Sequence, residues 1–308
     1  MSGNSAKNIW IPFGKSVIGA SHSRRGGIPN QDALRVYRGE VSTPTAVAVS
    51  DGHGGSKYIR SDTGSGFAAQ AIYDMATTMA RNESYFSSGM SIENLNETAE
   101  HIKARLLMTW RNEVDLHIET HPLTDKERSF LEENCSKKDC DSVINNHRIA
   151  YGCTFLAALA YADVVLVLQY GDGDALGLYP DGDVTELIAA DPRNIGNETL
   201  SLCTLTNPAE IRHRVLIGSA MPTLITLSTD GVKNSFDDLG SEKNGFYKIP
   251  VDLKTLLMKN NLDAEAVGAV LENELKRITT NGSGDDVTIG VMFDEEKIRH
   301  GLQTNDEE

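Results

Sequence analysis

The chain has 308 residues, of which 40% are hydrophobic and 24% charged, and its formal net charge is −15. These values are typical of a globular protein with a sizeable core, and the acidity argues against a nucleic-acid partner, because phosphate backbones bind clustered lysine and arginine. The first ten residues are polar, and the longest apolar run, 154–170, is interrupted by Asp163. We therefore expect no secretory signal, no membrane partner and a cytoplasmic location.

The first quarter of the sequence predicts short strands joined by turns. The apolar run 45–49 has the composition of a buried strand and leads directly into Ser50-Asp51-Gly52-His53-Gly54-Gly55. The stretch 21–32 is rich in turn-forming residues and ends on Gln31-Asp32. Strands are predicted at 17–20, 33–37 and 45–49, and a core helix at 62–79.

The middle of the chain predicts a long helix followed by a polar segment. Apolar residues recur at helical spacing from Ile92 to Ile118, which predicts a long amphipathic helix. Residues 120–148 are polar and lack periodicity, so they predict an insertion or a mobile connection within a helical and polar insertion spanning about 84–150. Cys135 and Cys140 have a spacing compatible with zinc, but no second pair completes four ligands, and a zinc site is not favoured.

The second half of the chain predicts successive hairpins followed by helices. Residues 233–250 predict a loop, and helices follow at 253–258 and 264–278, the latter with Asp263 as its N-cap. The charged tail 294–308 is expected to be frayed. Strands are predicted at 153–161, 164–170, 174–179, 184–187, 213–217, 224–228 and 287–293.

Carboxylates beside glycine flank several of these predicted strands. One such aspartate alone would be typical of a turn, but four of them flank strongly apolar strands, and one is followed by His53. A cluster of carboxylates is the donor set that magnesium and manganese prefer. The four residues are Asp51, Asp172, Asp230 and Asp285.

The order of the motifs resembles that of the metal-dependent serine/threonine protein phosphatases, the protein phosphatase 2C family. The resemblance implies an α+β fold, a four-layer α-β-β-α sandwich in which helices flank two central antiparallel sheets and the metals lie in a cleft at one edge. It covers about 17–293, within a single phosphatase domain spanning 1–308. The motifs are Gln31-Asp32, Asp51-Gly52-His53-Gly54-Gly55, Gly152-Cys153-Thr154, Gly171-Asp172, Ser228-Thr229-Asp230-Gly231 and Asp285-Asp286-Val287-Thr288.

The same resemblance implies roles for individual residues. Asp51 would bridge two Mg²⁺ or Mn²⁺ ions, and the carbonyl group of Gly52 would bind one of them. Asp230 and Asp285 would complete the other site, and Asp230 with Asp172 would form a weaker third position. His53 would be the general acid that protonates the leaving serine or threonine oxygen.

The sequence departs from the family pattern at two positions. Gln31, followed by Asp32, stands on the metal side where a glutamate is usual, so less negative charge faces the second ion. The residue four positions before Gln31, where the family places its phosphate-binding arginine, is Gly27. Arg24 and Arg25 lie six or seven positions before Gln31, and either could reach the phosphate or be a solvated surface residue.

The preferred interpretation is a Mg/Mn-dependent phosphatase that hydrolyses phosphoserine and phosphothreonine by attack of a metal-activated water. Its partner would be a phosphorylated protein, the target of a cognate serine/threonine kinase. The alternative is a degenerate phosphatase that binds a phosphoprotein or a kinase without turnover. Gln31 and the displaced arginines favour the regulator, whereas the enzyme is favoured by the intact Asp51, His53, Asp230 and Asp285. Hydrolysis of a small phosphate ester is a third, weaker alternative.

Overall fold

Two antiparallel sheets packed face to face form the centre of the protein in the computed structural model, which describes residues 10–40, 43–79, 90–194, 199–238 and 244–303. Within that part of the chain each sheet has five strands, and helices cover both outer faces. The predicted α-β-β-α sandwich is therefore confirmed.

The strands follow one another along the chain in ten segments of the described residues. They are β1 (Trp10–Val17), β2 (Ala33–Tyr37), β3 (Thr45–Ser50), β4 (Phe155–Tyr161), β5 (Val164–Tyr170), β6 (Asp174–Leu178), β7 (Val184–Glu186), β8 (Arg212–Ile217), β9 (Leu224–Ser228) and β10 (Val287–Asp294). The first sheet has the order β1-β10-β9-β6-β7, and the second has the order β2-β3-β4-β5-β8.

The described residues form nine α-helices along the chain. They are α1 (Ala20–Arg25), α2 (Ser61–Met79), α3 (Ile92–Thr120), α4 (Asp125–Asn134), α5 (Lys137–Asn145), α6 (Asp230–Asp238), α7 (Asn244–Lys259), α8 (Ala264–Asn281) and α9 (Glu295–Gln303). Helices α2 and α3 pack on the second sheet, and α6, α7 and α8 pack on the first. Among the described residues, no helix combines the length and the apolarity that a bilayer crossing requires.

Strand β3 shows why the sequence forms three apolar layers. Its side chains alternate between the two faces of the sheet, and both faces are covered, so every position is buried. Val47 and Val49 point into the core between the sheets, whereas Ala46 and Ala48 pack beneath the helices. The alternating small and branched residues of this strand thus match the different spaces on its two sides.

The sheets approach each other closely where β10 crosses β3. A Cβ atom built on Gly290 would lie 2.3 Å from Cγ1 of Val47. Real Cβ atoms do not come this close to another carbon, so the glycine is required here by the spacing between the sheets and not by its backbone angles.

Several sequence-based predictions of local structure were wrong. The strand predicted at 17–20 is the end of β1 followed by the start of α1. Residues 120–148, predicted as a mobile connection, form α4 and α5, each started by a side-chain cap. The pattern missed these helices because few of their side chains are buried, chiefly Leu131 in α4 and Val143 in α5.

The loop predicted at 233–250 was also wrong, because most of it lies in α6 and α7. Helix α7 continues through Pro250, although a proline in the interior of a helix is usually unfavourable. The tail predicted to fray from 294 instead forms α9 up to Gln303, anchored by the buried Ile298. Residues 1–9 of the polar N-terminus, 84–89 of the predicted insertion and 304–308 of the tail lie outside the described residues.

Candidate metal centre

The topology brings the aspartates singled out from the sequence to the same edge of the two sheets. In the second sheet, β3 and β5 run in the same direction, so Asp51 and Asp172 leave it at one edge, where β2 begins just after Asp32. In the first sheet, the end of β9 pairs with the start of β10. Asp230 and Asp285 therefore lie at the corresponding edge of that sheet, and both sheets contribute carboxylates.

The loop that carries Asp51 is fixed by backbone hydrogen bonds to the segment before β4. The amide nitrogen of Asp51 donates to Oγ1 of Thr154 at 3.0 Å, and the amide of Thr154 donates back to the carbonyl oxygen of Asp51 at 2.8 Å. The amide of His53 donates to the carbonyl oxygen of Gly152 at 3.1 Å, and that of Gly52 to Gln31 at 3.1 Å. The segment 152–154, recognised as a motif in the sequence, thus positions the Asp51 loop.

The carboxylates at this edge repel one another. Burial raises the pKa of Asp51 well above its usual range, and the nearby carboxylates of Asp32, Asp230 and Asp172 raise it further. Burial, followed by the charge of Asp172, raises the pKa of Asp230 to about 6. Like charges gathered in a desolvated site favour either protonation or a bound cation.

Asp32 and Asp286 form structural connections within this centre. Oδ2 of Asp32 accepts hydrogen bonds from the hydroxyl groups of Thr229 and Thr288, both at 2.7 Å, so this residue of the second sheet is tied to the first. Asp286 accepts from the backbone amide of Gly19 at 2.6 Å through Oδ1 and from that of Gln31 at 2.7 Å through Oδ2. Both carboxylates thus already accept hydrogen bonds from other parts of the protein.

Asp285 lies beside Asp286 but in a different environment. It is exposed, whereas Asp286 is buried, and its Oδ1 accepts only the amide of Asp286, at 2.9 Å, among the hydrogen bonds of the described residues. His22 contacts Asp286 through Nδ1 at 3.1 Å, and ligand atoms of His22, Asp285 and Asp286 lie within 4.8 Å of one another. The accessible carboxylate of the pair is therefore Asp285, the residue that the sequence analysis selected as a ligand.

The side chain of Gln31 is oriented by its amide nitrogen. Nε2 donates to Oγ of Ser61 at 2.5 Å and to the carbonyl oxygen of His53 at 3.3 Å. Its Oε1 would lie 3.9 Å from a Cβ built on Gly54, so the oxygen faces the glycine turn after His53. Gln31 could offer that oxygen to a cation or to a water molecule without disturbing its other contacts.

Asp172 has a buried oxygen that no described group satisfies. Its Oδ2 accepts a hydrogen bond from Thr199 at 2.7 Å, but its Oδ1 is buried and has no hydrogen-bond partner. This residue lines a polar cavity of about 480 Å³ together with Asp230 and Asn234. A buried carboxylate oxygen without a donor is costly unless a cation or water fills the space beside it.

His53 lies next to the carboxylate cluster with a ring nitrogen that is also unsatisfied. Its Nε2 is buried and makes no hydrogen bond to any described group, and its ring packs 4.8 Å from the ring of Tyr58. Burial, followed by the positive charge of Lys57, lowers the pKa of His53 to about 4. The imidazole is therefore neutral in the free protein at pH 7.

The two arginines considered from the sequence are placed differently. Arg24 is exposed, and its Nε donates to the carbonyl oxygen of Ala20 in the same short helix at 3.0 Å. The side chain of Arg25 lies outside the described residues. A groove of about 640 Å³ that starts at Gln31 and Gly54 is lined by a different cation, Lys126 of α4.

The donor set fits a divalent cation that prefers oxygen ligands. The carboxylates of Asp51, Asp230 and Asp285 and the unsatisfied oxygen of Asp172 lie at one edge of the sandwich. Their mutual repulsion is relieved by positive charge, and hard oxygen atoms suit Mg²⁺ or Mn²⁺.

Sequence reasoning missed the structural role of Asp286. Asp286 contacts the backbone of residues distant in sequence, and no local pattern marks such contacts. A weak signal was present in the pair of adjacent aspartates before β10, because a second buried carboxylate next to a ligand commonly orients the loop that carries it.

Comparisons with a family model and with solved structures agree with the fold described above. The family model described as Protein phosphatase 2C matches residues 18–271. Stp1 from Staphylococcus aureus has a similar structure, with a TM-score of 0.52 and 13% sequence identity, over 93% of this chain and 96% of that protein.

A second solved structure is similar to the same degree. It is PppA, a key regulatory component of T6SS in Pseudomonas aeruginosa, with a TM-score of 0.52 and 16% identity over 93% of this chain and 98% of PppA. At such low identity these likenesses show a shared fold and no more. A comparison with curated protein sequences returned no significant match.

Proposed function

Because the chain belongs to the protein phosphatase 2C family, a family of hydrolases that act on phosphorylated proteins, we propose that it is an active, divalent-metal-dependent phosphatase for phosphoserine and phosphothreonine. The observation that carries the proposal is the convergence of Asp51, Asp230 and Asp285 from both sheets on one edge of the fold. A protein that only bound a phosphorylated partner would not need such a concentration of negative charge.

The proposed ligands are divided between two cations. Asp51 would bind both, Asp230 and Asp285 would complete one site, and the Gly52 carbonyl group would belong to the other. Mg²⁺ or Mn²⁺ supplies Lewis acidity that makes water a better nucleophile and offsets the charge of the phosphoryl group. Asp172, with its unsatisfied Oδ1, supports a third position shared with Asp230.

His53 is proposed as the general acid that protonates the leaving oxygen. Its neutral form in the free protein must gain a proton before it can act, and a phosphate dianion nearby favours that protonated form. The buried, unsatisfied Nε2 leaves a nitrogen available for this proton. The loop contacts of Gly152 hold the backbone of His53, so its position does not depend on the substrate.

Hydrolysis of a phosphothreonine peptide and of p-nitrophenyl phosphate, with manganese and with excess chelator, tests the proposal directly. We expect turnover of both substrates with manganese, loss with chelator, and loss in Asp51→Asn. The control Asp163→Asn, an exposed aspartate in the turn between β4 and β5, should retain wild-type rates. Turnover that survives in excess chelator would contradict metal dependence.

A regulator without turnover is the second candidate. The neutral side chain of Gln31 and the placement of Arg24 away from the groove favour it, because both reduce the charge available for the second ion and for the phosphate. Manganese-dependent binding of a phosphopeptide with no detectable release of phosphate would support this candidate over the enzyme.

A further inference from the structure

A groove leads away from the candidate metal centre along the helical segment α4. Its volume is about 640 Å³, and it begins at Gln31 and Gly54, which belong to the centre itself. Lys126 and Phe130 of α4 line its other side. A substrate whose phosphate lies at the centre would therefore extend its neighbouring residues towards α4.

Helix α4 is held firmly against the segment that follows the glycine turn. The guanidinium group of Arg60 forms two hydrogen bonds with Glu127, from Nε at 2.7 Å and from Nη2 at 2.9 Å. Lys57 forms an ion pair with Asp139 of α5 at 3.2 Å. These contacts fix the position of α4 relative to the centre, so the wall of the groove is already formed in the free protein.

Phe130 is an unusual residue for the surface of this helix. Its side chain is 45% exposed, although it is large and apolar. Ile28 and Ile59 line the same groove, and Ile59 is partly buried against the core. Together they form an apolar recess that a single large side chain of a peptide could fill.

The groove is lined by charges of both signs, from Lys126, Asp62 and Glu127. Lys126 forms no ion pair with any other residue in the described parts of the chain, whereas Glu127 is neutralised by Arg60. In a protein of net charge −15, an unpaired lysine in the groove attracts the negative charge of a substrate, and the carboxylate of Asp62 in the same groove opposes that attraction.

We propose that α4 is the specificity element of the enzyme: Phe130, with Ile28 and Ile59, binds a large apolar side chain that flanks the phosphorylated residue of an extended peptide. The inference rests on the proposed function, because it assigns the substrate of that same site. Lys126 contributes to affinity through charge. Adjacent side chains of an extended peptide point in opposite directions, so only particular positions beside the phosphorylated residue can reach the recess.

The test uses phosphothreonine peptides in which a single leucine is placed at each of three positions on either side, in an otherwise glycine and serine sequence. We expect wild-type protein to prefer leucine at one of these positions by about tenfold in kcat/KM, and Phe130→Ala to lose that preference. Hydrolysis of p-nitrophenyl phosphate should change less than about twofold, because this substrate is too small to reach α4. The control Leu116→Ala removes another exposed apolar side chain, from α3, and should leave every rate unchanged.

Two outcomes would overturn the inference: a leucine preference that persists in Phe130→Ala, or an equal loss on peptides and on p-nitrophenyl phosphate. Binding of the same fluorescent peptides, measured by polarisation, separates this inference from the proposed function. If the wild-type protein hydrolyses nothing, the enzyme proposal fails. A leucine-dependent affinity that Phe130→Ala abolishes would then still support the recess, and its absence would reject it.

Discussion

His53 combines a fixed backbone with an unsatisfied side chain. Its amide nitrogen is bonded to Gly152, while its buried Nε2 has no partner among the described residues. A side chain that only stabilised the glycine turn would be expected to satisfy that nitrogen within the protein. The role of His53 can therefore be tested by comparing substrates whose leaving groups differ in their need for a proton.

We expect His53→Gln to reduce turnover of a phosphoserine peptide by about 10²–10⁴-fold, because an alkoxide leaves poorly without a proton. The rate on p-nitrophenyl phosphate should fall by less than about tenfold, since p-nitrophenolate leaves without protonation. Steady-state kinetics on both substrates make the comparison. His101→Gln, a change at a histidine that is 71% exposed on α3, is the control. Equal losses on the two substrates would exclude the acid role.

Helix α4 is held in place by hydrogen bonds from Arg60, which lies outside this helix. Arg60 also donates to the carbonyl oxygen of His121 and to the hydroxyl group of Tyr151, both at 2.7 Å, so one guanidinium group joins α2 to α3 and α4. Hydrogen bonds from this group, opposed by burial and aided by Thr124, lower the pKa of Glu127 to about 2. The junction should therefore weaken in acid.

The direction of this pH dependence follows from the protons that Glu127 binds in the folded and unfolded states. The pKa of Glu127 is lower in the folded than in the unfolded state, so its contribution to stability is complete above about pH 4.5 and is lost as the pH falls towards 2. We expect Glu127→Gln to lower the free energy of unfolding by about 1–2 kcal/mol at pH 7, discounted because the side chain is 25% exposed. The difference from wild type should shrink between pH 4.5 and pH 2.5.

Urea unfolding at several pH values measures this difference. Glu132→Gln, on the exposed face of the same helix, should unfold like the wild type at every pH. A gap between wild type and Glu127→Gln that stays constant from pH 7 to pH 3 would show that Arg60 does not act through the charge of Glu127.

Elements were predictable from sequence where one face or both faces of a segment are buried. The β3 run and helix α8, with Asp263 as its N-cap, follow directly from local patterns. Helices α4 and α5 could not be found in this way, because α4 is stabilised by its cap and by Arg60 and α5 by its cap and by Lys57, and both partners are far away in sequence. Local propensity alone rarely specifies so short a helix.

The candidate metal centre, like the helices and strands, was predictable from the sequence only in part. Aspartates beside glycine at strand ends pointed to Asp51 and Asp230, since the residue type itself carries the chemistry. The contacts of Asp286 with Gly19 and Gln31 span 267 and 255 residues, and no sequence window includes both partners. The groove along α4 depends on the same long-range packing.

At the scale of the whole molecule, the carboxylate cluster couples metal binding to stability. Burial, and after it the repulsion between neighbouring carboxylates, raises the pKa values of Asp51 and Asp230 only in the folded state, where these residues converge. A cation that binds the folded state alone adds about 2.7 kcal/mol at one hundred times its Kd. We therefore expect manganese to raise the melting temperature of wild-type protein by several degrees.

Differential scanning fluorimetry in manganese and in chelator measures this shift without any substrate. Asp230→Asn should melt at a higher temperature than wild type in chelator, because one repelling charge is gone, and should respond weakly to manganese. Asp163→Asn should behave as the wild type in both conditions. A manganese response in Asp230→Asn as large as that of wild type would show that the ion binds elsewhere.

The close approach of the sheets at Gly290 has a consequence for the choice of ion. Because Asp51 leaves one sheet and Asp230 the other, the spacing of the sheets helps to set the distance between these carboxylates. Magnesium holds oxygen at about 2.0–2.1 Å and calcium at about 2.3–2.6 Å, so a slightly wider sandwich would suit the larger ion. Gly290→Ala should accordingly shift affinity towards calcium in a titration, and an unchanged ratio of the two affinities would show that the loops alone set ionic-radius selectivity.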